Sequence, residues 1–170
     1  MLKVEIVGRV DENFIEDIVR IDRESFPEGG AFSDAKVYFS GILKNENNVR
    51  IVLKNDGTTV GYLVAVPHNV ARKDLEEDDP LIQADDTRYY VESVAILPKY
   101  QGKKGFSKMW EVLLKELKKK NICKISIHAR VLDGFSNIIQ KKTKVTLIRR
   151  IDRWKYYNYK EPTDYIEANL

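Results

Sequence analysis

One cysteine, Cys123, stands among 170 residues, so no disulfide closes within the chain and no zinc site built on several cysteines forms. That scarcity fits a reducing compartment, and a cytoplasmic location is expected. Long hydrophobic runs are missing too. Apolar residues make up 43% of the chain, yet no segment approaches the roughly 20 apolar residues that a helix needs to cross a bilayer, so a soluble protein with no membrane partner is expected. The opening Met1–Val7 alternates like a strand and carries Glu5 inside the apolar stretch, unlike a secretory leader. Charge of one sign is also scarce: 29 basic against 26 acidic residues leave +3, too little by itself to argue for nucleic acid. There is no internal repeat and no low-complexity linker. At 19.7 kDa the length suits a single domain over residues 1–170, able to bury about two-thirds of its unfolded surface.

What is present is an alternation of strand and helix patterns. Asp11 is a candidate N-cap for a helix whose apolar residues Phe14, Ile15, Ile18, Val19 and Ile21 recur at helical spacing until Ser25-Phe26-Pro27. Ser33 is a second candidate cap, ahead of Val37, Tyr38, Ile42 and Leu43. Arg50–Lys54 and Thr58–Val66 read as strands joined through Asn55-Asp56-Gly57, residues that tolerate a hairpin turn. The acidic stretch from Asp74 to Asp86 reads as an exposed loop. Tyr89–Leu97 is an apolar strand interrupted by Glu92 and closed by Pro98. After a glycine-containing loop, Met109, Trp110, Leu113, Leu114 and Leu117 mark a helix, and Lys124–Ala129 a strand. Strand, helix and strand over this span predict a parallel pair. Gly134–Lys142 reads as a short helix, and Val145–Ile151 and Trp154–Ile166 as closing strands.

The segment that carries chemistry runs from Val91 through Pro98-Lys99-Tyr100-Gln101-Gly102-Lys103-Lys104-Gly105-Phe106. A buried strand feeds a basic loop that opens a helix. Unpaired N–H groups at a helix start, with the positive end of its dipole, can hold a pyrophosphate, and Lys103 and Lys104 add charge. The other reading is that Gly102 and Gly105 merely shape a strand-to-helix turn.

The run from Val94 to Gln101 resembles the acetyl-CoA signature of the GNAT superfamily, in which a strand ending V-x-P-x-Y precedes Q/R-x-x-G-x-G/A. Counting from Gln101, Lys104 stands where the first motif glycine belongs and Phe106 where the second glycine or alanine belongs, with Gly105 between them. Either the loop is shifted by one residue or the pyrophosphate has fewer close backbone contacts. Ile127-His128-Ala129-Arg130-Val131-Leu132-Asp133 is similar to the family's L-E-V-R-x-x-N, with Arg130 retained and Asp133 at the asparagine. The order of elements agrees over nearly the whole chain.

The resemblance implies an α/β GNAT fold: a mixed, mostly antiparallel sheet with a central parallel strand pair splayed around the cofactor and helices on both faces. It implies acetyl-CoA as acyl donor, an amine acceptor and no metal. Val94, Ala95, Ile96, Gln101, Gly102, Lys103, Lys104, Gly105, Phe106, Ser107 and Asp133 become the candidate cofactor-binding residues. Glu92, sharing a strand face with Tyr90 and Val94, is the first candidate base. Its alternative is a pairing with Arg88 or Arg130, or exposure to solvent. Gln140 stands where the family's acid tyrosine belongs and cannot protonate a thiolate; Tyr90 is a candidate replacement. The alternative function is a CoA-binding relative without turnover.

Five further features have plainer readings. His128 either faces the cleft or sits in the core; His68, after Pro67, reads as a surface turn residue; Cys123 reads as a small core residue. The acidic loop reads as solvated, with attraction of a cationic amine as the alternative. The basic and aromatic run Lys141–Lys160, including Arg149, Arg150, Trp154, Tyr156, Tyr157 and Tyr159, is a form that can grip single-stranded nucleic acid, but closing strands explain it better. An exposed closing strand leaves room for a homodimer. The GNAT resemblance implies that acceptor choice lies with Pro27–Phe32 and Arg149–Tyr159.

Overall fold

The Asp11 carboxylate accepts the Phe14 backbone N–H at 2.8 Å and so caps α1 (Glu12–Ser25), which follows β1 (Leu2–Ile6). The computed structural model describes residues 1–26, 34–156 and 159–170. Ser33, Tyr157 and the stretch 27–32 lie outside the described residues. The helix α2 (Ala35–Lys44) has Asp34 at its cap position, without a side-chain cap bond. β2 (Val49–Asn55) and β3 (Thr58–Pro67) form the expected hairpin, turned through Asp56 at φ 49° and Gly57 at φ 86°. These paired positive angles are those of a type I′ turn, whose twist matches that of the strands.

A helix not expected from the sequence, α3 (His68–Leu75), follows directly. Then come β4 (Arg88–Ile96), a 3-10 turn (Pro98–Tyr100), α4 (Gly105–Lys119), β5 (Lys124–Arg130) and α5 (Phe135–Lys142). The chain ends with β6 (Lys144–Tyr156) and β7 (Tyr159–Asn169). Trp154 therefore belongs to β6 and does not open the last strand; β6 shifts register between Ile151 and Trp154 without ending. The strand order is β1-β2-β3-β4-β5-β7-β6. The sheet is mostly antiparallel, and β4 with β5 is the parallel pair. The expected fold class is thus observed. Among the described residues no helix is long and apolar enough to cross a membrane.

The chain divides into two compact units. The first comprises Met1–Ala65 and Ser93–Glu116. Its core takes Ile15, Ile18 and Ile21 from α1, Phe39 and Leu43 from α2, Leu53 and Tyr62 from the hairpin, and Met109 and Leu113 from α4. Gly105 opens α4 where there is no room for a side chain. A Cβ there would lie 2.5 Å from Leu53 Cδ2 and 3.3 Å from Ile96 Cδ1, so glycine lets the helix start against the sheet.

The second unit comprises Val66–Glu92 and Leu117–Leu170, and its interior is unusually polar. His68 is buried, with Nδ1 2.7 Å from Ser126 Oγ and Nε2 2.9 Å from the Gln83 carbonyl, not on a surface turn. The acidic stretch is only partly solvated. The Asp79 side chain is 2% exposed and accepts from Arg149 Nη2 at 2.6 Å, while Asp85 pairs with Arg88 at 3.3 Å and Lys124 at 3.2 Å. Arg88 also pairs with Glu167, and Arg130 with Glu161. Spacing alone cannot separate such carboxylates from solvated ones, because Arg149 lies 70 residues from Asp79 and Lys124 39 from Asp85. Cys123, just before β5, is exposed and is not a core residue.

Two expectations follow. Gly105→Ala forces the Leu53 contact apart and should destabilise the protein by about 1–3 kcal/mol, read as a lower denaturant midpoint. The second concerns acid. Burial holds the His68 and His128 imidazoles below their usual range, so the unfolded chain takes up protons first as pH falls below about 6.5. Burial pushes the Asp79 carboxyl up, but hydrogen bonds from His128 and Arg149 outweigh it and hold it at about 2. Asp85, also desolvated, is held at about 2 by Thr87, Lys124 and Arg88. These carboxylates add stability above about pH 4 that is lost towards pH 2. Urea unfolding between pH 7 and pH 3 should therefore show two successive losses. Asp79→Asn should weaken the protein at pH 7 by about 2 kcal/mol and flatten the lower one.

Candidate active site

Within the first unit, β4 runs into the loop through Leu97, whose N–H donates to the Val60 carbonyl of β3 at 2.9 Å. Peptide groups of successive residues point to opposite edges of a strand. Ala95 therefore faces β3 as Leu97 does, and a Cβ on Gly61 would lie 3.0 Å from the Ala95 oxygen. Val94 and Ile96 face the other edge. The Ile96 carbonyl on that edge accepts from Gln101 Nε2 at 2.8 Å, so Gln101 ties the loop back onto the end of the strand.

The loop turns through Gly102 at φ 71° and Lys104 at φ 61°. Lys104, counted from Gln101 at the place of the motif's first glycine, thus has a left-handed backbone. The Gly102 position is open, with nothing within 4 Å of a Cβ built on it. At the start of α4 the N–H groups of Gly105, Phe106 and Ser107 precede the first intrahelical turn, and Lys108 is the first whose N–H reaches back, to the Lys104 carbonyl at 3.1 Å. The Phe106 ring tilts onto Trp110 with centroids 5.4 Å apart. Lys103 Nζ sits 5.3 Å from the centre of the Tyr100 ring, and Lys99 Nζ 5.0 Å. The structure thus brings Ile96, Gln101 and the loop residues together as one strand-to-helix junction.

In the second unit, β4 pairs with β5 through Arg88↔Lys124, Tyr89↔Ile125 and Tyr90↔Ser126. Aligned residues of parallel strands share a face, so Tyr90 and Glu92 lie on the same side as Ser126 and His128. Glu92 is half-buried. Arg88 pairs with Asp85 and Glu167, and Arg130 with Glu161 and Asp133. The Tyr90 hydroxyl lies 3.0 Å from His128 Nδ1, and His128 Nε2 lies 3.0 Å from Asp79 Oδ2. Trp154 stacks on the imidazole with centroids 4.0 Å apart. Sequence reasoning named Tyr90 and His128 separately but missed Asp79; its place in an acidic run concealed it.

Asp133 has a local task. Its carboxylate accepts the Phe135 N–H at 2.9 Å and lies 3.5 Å from Arg130 Nη1. Gln140 donates to Ser136 Oγ at 3.0 Å. Within the basic C-terminal run, Arg149 pairs with Asp79, Arg150 with Asp164, and Trp154 is buried.

The family described as the acetyltransferase (GNAT) family matches residues 15–134. No curated protein sequence matches the chain. Among solved structures, the ribosomal-protein-S18-alanine N-acetyltransferase from Escherichia coli superposes with a TM-score of 0.71 at 13% identity, over 100% of this chain and 94% of that one. An aminoglycoside 6'-N-acetyltransferase complexed with coenzyme A gives 0.72 at 9% identity, over 98% and 96%. The PaiA N-acetyltransferase from Thermoplasma acidophilum, in complex with coenzyme A, gives 0.64 at 14% identity, over 99% and 99%. These identities carry the fold, and the family match covers most of the chain together with the strand, loop and helix built above: the protein belongs to the GNAT acetyltransferase family.

Proposed function

We propose that the protein transfers an acetyl group from acetyl-CoA to a primary amine, on a small molecule or a protein, by direct attack of the amine on the thioester. No metal and no covalent enzyme intermediate take part. The observation that carries this reading is the junction at the end of β4, where a strand edge turned away from β3 leads into a left-handed loop and the start of a 15-residue helix. The pantetheine arm lies along Val94 and Ile96. With the Ile96 carbonyl engaged by Gln101, Ile96 offers its N–H to the cofactor, and such donors polarise the thioester carbonyl. Ala95, facing β3, takes no part. The pyrophosphate sits on the backbone from Gly102 to Ser107, with Lys103 and Lys104 supplying charge. Asp133 is better explained by its bond to Phe135 than by a cofactor.

Glu92, half-buried on β4, removes the first proton from the acceptor ammonium, directly or through a water. The similar solved proteins named for S18-alanine and aminoglycoside N-acetylation support an amine as acceptor. A second reading, CoA binding without turnover, is favoured by Gln140, whose amide is held by Ser136 at the acid position. Its force is limited: a thiol of pKa about 8.5 leaves as thiolate at a disadvantage of only about 2 kcal/mol.

The loop itself gives a test. Left-handed strain on Lys104 costs about 1–2 kcal/mol, more than the roughly 0.5–1 kcal/mol of chain entropy that glycine adds to unfolding. Lys104→Gly should therefore raise the melting temperature by a degree or two. Lys104→Glu should weaken acetyl-CoA binding about tenfold, about 1.4 kcal/mol, measured by calorimetry. Glu92→Gln should keep that binding and lower kcat about 100-fold, measured as CoA release. An unchanged rate removes Glu92 as the base, and no wild-type binding at millimolar acetyl-CoA ends this reading.

A further inference from the structure

Asp22, on the inward face of α1, is 0% exposed, and no step of acetyl transfer uses it. Its carboxyl group is the inner end of a hydrogen-bonded chain that lies wholly within the first unit. The Tyr62 hydroxyl, on β3, lies 3.1 Å from Asp22 Oδ1, and Ser93 Oγ, on β4, lies 3.0 Å from the same hydroxyl. Tyr62 is 1% exposed, whereas Ser93 is only partly buried. The chain thus runs from the interior to a residue that solvent reaches. We infer that Ser93 contacts the acceptor, its oxygen accepting an N–H from the amine that attacks the thioester. Tyr62 and Asp22 are positioning residues that act through it. The inference rests on the acetyl-transfer reading and adds to it a residue that selects the acceptor.

The available hydrogens set the direction of the chain. An ionised carboxylate accepts and cannot donate, so the Tyr62 hydrogen is committed to Asp22. The phenol oxygen then has only lone pairs to offer, and the Ser93 hydrogen goes to it. What Ser93 keeps is the accepting capacity of its own oxygen, which suits an N–H group and does not suit a carbonyl or a carboxylate. A serine without these two groups behind it could turn its hydrogen outwards and serve either kind of ligand. Hydrogen bonds in series also polarise one another, so the carboxylate at the far end makes the Ser93 oxygen a better acceptor than an isolated hydroxyl. Asp22 itself stays out of reach of the amine and takes no proton from it.

The position on β4 fits this role. With pantetheine along Val94 and Ile96 and the pyrophosphate at the loop beyond them, the acyl end of the cofactor arrives at the residue just before Val94, which is Ser93. Its side chain alternates with that of Val94 and stands on the face carrying Tyr62, whose ring also meets Phe39 of α2 edge to face with centroids 5.5 Å apart. By the same alternation Glu92 points to the opposite face, so the two side chains do not compete for one hydrogen. When nitrogen adds to the thioester carbonyl it becomes positively charged, and its hydrogen bond to Ser93 strengthens at that moment. Interactions of this kind raise kcat as well as binding.

The test compares side chains that differ only in the hydroxyl. Threonine and valine have nearly the same shape, and both suit a strand. Acetyl-CoA is the donor, and ethanolamine, spermidine and an alanine-terminated peptide are the acceptor probes. For the amine turned over, Ser93→Thr should keep kcat/KM within about threefold and Ser93→Val should lower it about tenfold, with the Kd for acetyl-CoA unchanged in both. Equal rates in the two variants overturn the inference and leave acetyl transfer standing. Tyr62→Phe releases the Ser93 hydrogen and should also lower kcat/KM, but have little effect in the Ser93→Val background; a loss of the same size in both backgrounds overturns the chain. If Tyr62→Phe does not fold, the comparison of Ser93→Thr with Ser93→Val decides. The direction has a separate readout. Infrared spectra of wild-type protein labelled with 13C-aspartate should show carboxylate bands alone at pH 7; a protonated carboxyl band overturns the inference. Wild-type protein that binds acetyl-CoA without acetylating any of the probes overturns the acetyl-transfer reading and this inference with it.

Discussion

Peptide groups along a strand alternate between its two edges, and β4 turns this constraint into a division of labour. At its end in the first unit, Leu97 bonds to Val60 and Ala95 faces Gly61, which locks that edge into the hairpin. The intervening residues Val94 and Ile96 are thereby directed to the opposite edge, whatever their side chains. Gln101 occupies the outermost carbonyl there. The loop and α4 inherit their position from this arrangement, because Gly105 brings the helix start against Leu53 and Ile96.

The second unit solves a different problem. It places Asp79, Arg88, Asp164 and two histidines largely out of water, where isolated charges are costly. Each is matched with hydrogen bonds or an opposite charge: Asp164, for example, accepts from both Ser136 and Arg150 at 2.5 Å. Ion pairs of this type repay their desolvation only when geometry is good, so the network fixes which partners meet more than it adds net stability. A polar core with defined hydrogen-bond direction is also one in which proton positions can be assigned. An apolar core of the same shape offers no such assignment.

Much of this was legible in the residues. The Asp11 cap, the Asn55-Asp56-Gly57 hairpin and the parallel pair all rest on local chemistry or short-range spacing, and each is present. The Val94–Gln101 run marked the junction, and the family match bears out the resemblance. Three of the failures share one cause. His68 looked like a turn residue, Asp79 like a solvated one and Arg149 like part of a basic patch, because each is defined by partners 15 to 70 residues distant. Helix α3 was hidden for a simpler reason: at eight residues, with His68 and Ala71 its buried positions, it has too little apolar periodicity to register. The unbroken course of β6 was hidden by a register shift, which interrupts alternation without ending a strand.

Cys123 is the only cysteine of the chain and is exposed at the head of β5. In a reaction whose product is a free thiol, that side chain becomes part of the accounting. A reagent that counts CoA by its sulfur also counts one equivalent of protein. At catalytic concentrations the offset is trivial, but in a single-turnover experiment it is as large as the signal and resembles a burst. Replacing Cys123 by serine, or blocking it beforehand, separates chemistry at the acyl group from chemistry of the protein's own thiol.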